Sequence, residues 1–227
     1  MSRIRRLHRL VLDNKAEHVM RYQYTVRYVH RLSAILLVAF LFVHMANHLA
    51  ALHSIEAHQG FMAVARRFYR AAIFEPLLLA AVVVQSATGL IQLRAGWGKR
   101  RDFWSLLQTL SGGYLLFFLI AHVIGVLAIR YAGLDSDFYA AAVLLTTPPL
   151  PKVYVPYYGL GVAAVFTHLA CALHFQRRPA SEGGDSIAAS IVATGIVFAV
   201  VTVAAFSEAF YDIHVPHAYR DAIARFF

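Results

Sequence analysis

Two histidines, His44 and His122, each stand eleven residues after the serine of a Leu-Ser pair, and both lie inside apolar runs. The segments Arg31-Leu-Ser-Ala-Ile-Leu-Leu-Val-Ala-Phe-Leu-Phe-Val-His44 and Thr109-Leu-Ser-Gly-Gly-Tyr-Leu-Leu-Phe-Phe-Leu-Ile-Ala-His122 form an internal repeat, and the shared serine–histidine spacing is its informative part. On two helices running the same way, a rise of about 1.5 Å per residue puts each imidazole about 16 Å beyond its serine. Equal depth is what two ligands of one metal require. A haem iron already has four equatorial nitrogens and asks the protein for only one or two axial ligands. Zinc usually asks for three or four in a tight tetrahedron. The chain has no H-E-x-x-H, no C-x-x-C and no acidic cluster. His44 and His48, one helical turn apart, could chelate a non-haem metal. The nearest carboxylates, Glu56 and Glu75, lie toward the ends of the apolar runs.

Of twelve histidines, His30, His44, His48, His122, His168 and His174 lie in or at the edge of apolar runs. Ionisable residues at such positions are expensive in lipid and are usually paired or functional. His48 reads as an alternative ligand, a hydrogen-bond donor to a haem propionate, or a packing residue. His168 belongs to a run of opposite direction, level with Gln85, and reads as a quinone hydrogen-bonder or a satisfied core histidine. His30, Arg31 and Ser33 cluster at the start of the first run. They read either as interface anchors that snorkel or as a polar mouth, with Arg31 pairing propionates and His30 and Ser33 bonding a quinone carbonyl. His174, at an edge, reads as solvated. Ala34, Ala39, Ala46, Gly112, Gly113, Gly125 and Gly161 either make room for a porphyrin or serve helix–helix packing. Cys171, the single cysteine, is inside an apolar run and reads as a small buried or lipid-facing residue.

The elements that must position these side chains are five stretches without Asp, Glu, Lys or Arg: 32–55, 76–93, 103–129, 153–176 and 186–207. Each is near or above the ~18–20 residues that cross a hydrocarbon core as a helix. The chain of 227 residues is 59% hydrophobic and 15% charged, too little polar surface to bury five such helices in water. Transmembrane barrels need short alternating segments, and these runs are continuously apolar. The expected fold is therefore all-α, an integral membrane bundle of five transmembrane helices. No cleavable signal peptide is expected, because residues 1–31 are basic and hold no long apolar run.

Net charge is +9, and its distribution reads as membrane orientation rather than nucleic-acid binding. With alternating spans, fourteen Lys and Arg fall on the side of the N-terminus, including Lys99, Arg100, Arg101, Arg177 and Arg178, and seven fall on the other. The positive-inside rule then makes the N-terminus cytoplasmic. The basic face could alternatively dock an acidic partner subunit. The expected organisation is a basic N-terminal segment (1–28), a five-helix domain (29–208) and a short extracytoplasmic C-terminal segment (209–227). Residues 56–70 read as an interfacial amphipathic helix, residues 131–152 as an extended Pro-rich loop and residues 179–185 as a turn. The end of the chain reads as a short surface helix.

His30-Arg31-Leu32-Ser33-Ala34, followed by an apolar run to His44, resembles the first span of the cytochrome b membrane anchors of succinate dehydrogenase and fumarate reductase. Leu110-Ser111-Gly112-Gly113-Tyr114 to His122 is similar to the matching third helix of the fused, five-helix form. The resemblance covers roughly residues 25–176. It implies one or two b haems, a quinone site, hydrophilic iron–sulfur or flavoprotein subunits on the cytoplasmic side, and a bacterial inner membrane. Carried over, His44 and His122 correspond to the distal-haem pair, and His168 to one proximal ligand. His30, Arg31 and Ser33 correspond to the quinone side. Gln85 stands where the family has the second proximal histidine, so one haem is expected and a second is in question.

The expected function is that of a b-type cytochrome passing electrons between quinone and a redox partner. The alternatives are an anchor or assembly subunit with structural or no haem, and a histidine-lined transporter. Transport would call for broken helices and midplane acidic residues, which the sequence lacks. No flavin fingerprint or iron–sulfur cysteine set occurs in the chain.

Overall fold

The computed structural model describes residues 2–96, 98, 102–176 and 184–225, apart from the side chains of residues 2–14, 16 and 184. Among the described residues the chain is all-helical: α1 (Ser2–Ala50), α2 (Ile55–Tyr69), α3 (Phe74–Gly96), α4 (Phe103–Tyr131), α5 (Phe138–Thr146), α6 (Pro151–Gln176), α7 (Gly184–Ala205) and α8 (His217–Ala224). Five contain spans long and apolar enough to cross a membrane: Glu17–Ala50, Phe74–Gly96, Phe103–Tyr131, Pro151–Gln176 and Asp185–Ala205. The chain is an integral membrane protein.

The surface carries the sign of its solvent. Phe42 is 78% exposed, Val83 67%, Ile124 61% and Val200 65%. Large apolar side chains turned outward along four of the five spans suit hydrocarbon and not water. Polar backbone groups are kept inside each helix, and Thr88, Ser111, Thr167 and Thr194 each return their hydroxyl to the carbonyl four residues earlier.

Neighbouring spans pack in the order α1, α3, α4, α6, α7. The chain reverses direction at each step, so α1 and α4 run parallel. They lie across the interior from each other, separated by α3, and approach through side chains rather than along their backbones. The fifth span is fitted tightly to the fourth: a Cβ on Gly195 would lie 2.2 Å from Phe166 Cβ.

One end of the bundle is capped. There α2, α5, the segment after α7 and α8 gather over the span ends, around Phe138, Ala142, Val143, Ala205, Phe206, Ile213, Val215, Tyr219 and Ile223. Phe138 and Val143 are fully buried, and each such side chain contributes roughly 1.5–3 kcal/mol of burial free energy. Local signals set the cap helices. Ser54 Oγ accepts from Ala57 N at 3.1 Å to start α2, and Asp137 Oδ1 accepts from Tyr139 N at 3.0 Å to start α5, each satisfying an orphan amide of a helix N-terminus. Arg66 and Arg70 reach Asp135 at 3.5 and 3.2 Å, and Tyr211 Oη donates to Ala51 O at 2.5 Å.

The structure departs from the sequence-based expectations in two places. Residues 131–152 are not wholly extended, since Phe138–Thr146 coil into α5 and bury Phe138 and Val143 in the cap. His174 is not simply solvated: its Nδ1 lies 2.9 Å from Asp185 Oδ1 and its ring stacks on Trp104, centroids 4.8 Å apart. The amphipathic helix at 56–70 and the terminal helix form where expected, as α2 and α8. Lys99, Arg100, Arg101, Arg177, Arg178 and most of the turn at 179–185 lie outside the described residues.

Candidate functional site

The interior polar side chains form two layers. Nearer the capped end, His44 on α1 and His122 on α4 face each other with ring centroids 6.1 Å apart and planes 69° apart. Each ring is stacked on the phenylalanine one turn earlier: Phe40 on His44 at 5.5 Å and 20°, and Phe118 on His122 at 5.4 Å and 14°. The sequence repeat is thus also a repeat of ring packing. Phe118 is held in turn by α6. Its ring lies 4.8 Å from that of Tyr157, Tyr157 Oη donates to Phe118 O at 3.3 Å, and Tyr114 Oη donates to Tyr157 O at 2.9 Å. A Cβ on Gly161 would come within 2.4 Å of the Phe118 ring, so only glycine lets α6 approach this closely.

His44 and His122 sit deep between the helices, each residue only part-exposed. His122 makes no hydrogen bond among the described residues, whereas His44 Nε2 lies 3.1 Å from His48 Nε2. His48 leads on toward the cap. Its ring is parallel to that of His58 on α2, centroids 5.7 Å apart, and His58 Nε2 takes a hydrogen bond from Asn47 Nδ2 at 3.0 Å. Phe206 packs edge-on against both His48 and His58, and Phe138 does the same against His58. His58 is 2% exposed. Burial, and then the charge of Arg66, bring it down to about 4 from the usual imidazole range, so it is neutral at pH 7.

The second layer lies nearer the open end. Thr88 Oγ1 donates to Val84 O at 2.6 Å, so its lone pair accepts from His30 Nδ1 at 2.9 Å. In a neutral ring Nε2 is then an acceptor, and it takes the Gln85 amide at 3.1 Å. Gln85 Oε1 accepts from Ser33 Oγ at 2.6 Å. These four side chains satisfy one another and lock α1 to α3, as polar glue does between membrane helices. Across the bundle Ser111 Oγ lies 3.3 Å from His168 Nδ1, tying α4 to α6. The His168 ring rests on Gly112, where a Cβ would be 2.9 Å from Cε1. His168 also hydrogen-bonds the backbone of Gln108, again on α4.

The structure brings His44, His48 and His122 together in one layer, and His30, Ser33 and Gln85 in the other, while His168 is bonded to α4 rather than to Gln85. Arg31 points outward and is exposed. Sequence reading missed Asn47, Thr88 and His58. Asn47 is a polar residue between two histidines of an apolar run. His58 opens the 58–62–66 stripe of α2, whose first two members are buried. Among the described residues no group of three or more His, Cys, Asp or Glu has a geometry that could hold a metal ion by itself. Two facing imidazoles can still flank one metal whose other positions are filled. No protein-family model, curated protein or solved structure matches the chain.

Proposed function

We propose that the protein is a membrane-bound b-type cytochrome that holds one haem between His44 and His122. It would serve as the membrane anchor of a succinate dehydrogenase- or fumarate reductase-like complex in a bacterial inner membrane, with its N-terminus cytoplasmic. The observation that carries the reading is the spacing of the two rings. A nitrogen about 2 Å from a metal puts its imidazole centre about 3 Å away, so axial ligands on opposite faces of one iron have centres about 6 Å apart. The His44 and His122 centroids are 6.1 Å apart. The donor set also suits the group: two imidazoles from parallel helices that face each other. The His44–His48 hydrogen bond and a metal bond at the same His44 nitrogen exclude each other. Loading therefore requires the His48 ring to give up this bond.

Bound haem supplies a one-electron carrier within the bilayer. The chain's own residues orient and shield it. Phe40 and Phe118 fix the planes of the two ligand rings, and the cap closes the adjacent end of the bundle against water. At the end away from the cap the atoms of His30 and Ser33 are engaged with Thr88 and Gln85, and His168 with Ser111 and the Gln108 backbone, so a quinone carbonyl would bond there by displacing one of these contacts. The basic N-terminal helix offers a surface for acidic redox subunits.

The test is a reduced-minus-oxidised spectrum of the purified protein with haem quantified per chain. The reading expects one low-spin b haem, reducible by a quinol analogue and lost in both His44→Ala and His122→Ala. A haem retained in both variants, or no haem in the wild type, sinks it.

A further inference from the structure

Among the described residues, six buried polar side-chain atoms have no hydrogen-bond partner, and three of them lie together: Asn47 Oδ1, His48 Nδ1 and His58 Nδ1. Buried polar groups are nearly always paired, and each unpaired one costs about 1–3 kcal/mol. Three in one cluster mark a place where a further polar group belongs. Its chemistry follows from the neighbours. Asn47 donates to His58 Nε2, so in the neutral ring the proton sits on His58 Nδ1, which is left a donor. Asn47, 6% exposed, holds His58 in that tautomer and keeps its own Oδ1 as an acceptor.

Among the described residues no carboxylate answers them. Glu56 points into solvent, Glu75 is paired with Arg130, and Asp135 is held by Arg66 and Arg70. Arg66, on the same α2 stripe as His58, adds positive potential. Phe138 and Phe206 keep the place dry. The dry His58 Nδ1–H donor, beside a cation, asks for an anionic acceptor. One helical turn separates His48 from His44, close enough for a substituent of a porphyrin on His44 to reach it.

We propose that Asn47, His48 and His58 form a seat for a carboxylate of the porphyrin held by His44 and His122. This rests on the haem reading above. The seat makes α2, a helix outside the spans, part of the haem site. It also fixes the rotation of the ring about its iron axis, since only the edge bearing carboxylates can face the cap.

The full chain in detergent, stripped of its haem, is reloaded with haem b or with its dimethyl ester, which keeps the iron and blocks both carboxylates. The spectrum and the rate of loss to a soluble haem scavenger are then measured. The expected result is the same bis-imidazole spectrum for both, with the ester leaving about tenfold faster or more, as the loss of one or two charge-assisted hydrogen bonds implies. His58→Phe and Asn47→Leu should raise the haem b rate toward that of the ester and leave the ester's rate unchanged. Equal rates for haem b and its ester in the wild type overturn the seat and leave the cytochrome reading intact, with water as the partner of these atoms. Variants that speed both porphyrins equally overturn it as well. Failure of haem b to give a bis-imidazole spectrum overturns the cytochrome reading and the seat with it.

Discussion

Phe118 lies nearly flat on His122, with planes 14° apart, and is itself pressed from the far side by the backbone of Gly161. The orientation of a ligand ring on α4 is therefore set by a glycine on α6. Replacing Gly161 by alanine puts a Cβ where the Phe118 ring now is. Overpacking of this kind costs about 1–3 kcal/mol, and the strain is relieved most directly by moving Phe118 and tilting His122. Gly161→Ala should keep its helical circular dichroism while haem per chain falls and the α-band broadens. An unchanged haem ratio and band shape would show that Phe118 does not position His122.

Gln85 supplies a second test. Its amide spans His30 Nε2 and Ser33 Oγ, so Gln85→Leu leaves both without that partner between apolar helices. Interhelical hydrogen bonds in membranes average about 0.6 kcal/mol and reach about 2. A modest fall in thermal midpoint in detergent is expected, with the haem spectrum unaltered. Gln85→His restores the residue type of the resembled family but should not add a haem, because His168 is bonded to Ser111 and lies on Gly112. Pyridine extraction should still give one haem per chain, and two would show that the His168 ring readily leaves α4.

Much of this was legible in the sequence because lipid imposes simple rules. The charge-free runs became the five spans, and the Ser33–His44 and Ser111–His122 spacing put two imidazoles at one level. The cap was less legible. Residues 138–146 follow an aspartate pair and precede a Pro-rich stretch, signals of an open loop. Asp137 instead caps a helix whose apolar side chains are covered by the segment after α7, some sixty residues later. Gln85 was also read in the wrong company. Depth along a helix places it level with His168, but depth does not say which neighbour a side chain turns toward, and it turns to α1. His58 escaped notice because α2 lies outside the charge-free runs, and only packing reveals that one of its faces closes the interior.

Two ion pairs at the capped end should differ in worth. Asp135 is 59% exposed where it meets Arg66 and Arg70, and pairs of that kind contribute up to about 1 kcal/mol and weaken with salt. Glu75 and Arg130 are 27% and 34% exposed and join the start of α3 to the end of α4. Glu75→Gln should therefore lower the thermal midpoint more than Asp135→Asn, and only the Asp135 effect should fade as salt is raised. The reverse order would place the burden of the cap on the loop rather than on the span ends.

His58 gives the cap a pH dependence of known sign. Buried beside Arg66 and flanked by Phe138 and Phe206, it titrates at about 4 when folded, against 6.5 when free. Unfolding raises its proton affinity, so between those values the unfolded chain binds more protons and stability rises with pH. The contribution is complete above pH 6.5, is lost progressively on acidification, and levels off below about 4. His58→Phe keeps an aromatic ring against Phe138 and Phe206 but cannot take a proton. The difference in thermal midpoint between wild type and this variant should therefore be largest at pH 7 and move steadily against the wild type toward pH 4. A difference that stays constant across this range would mean that His58 is not held neutral by the cap.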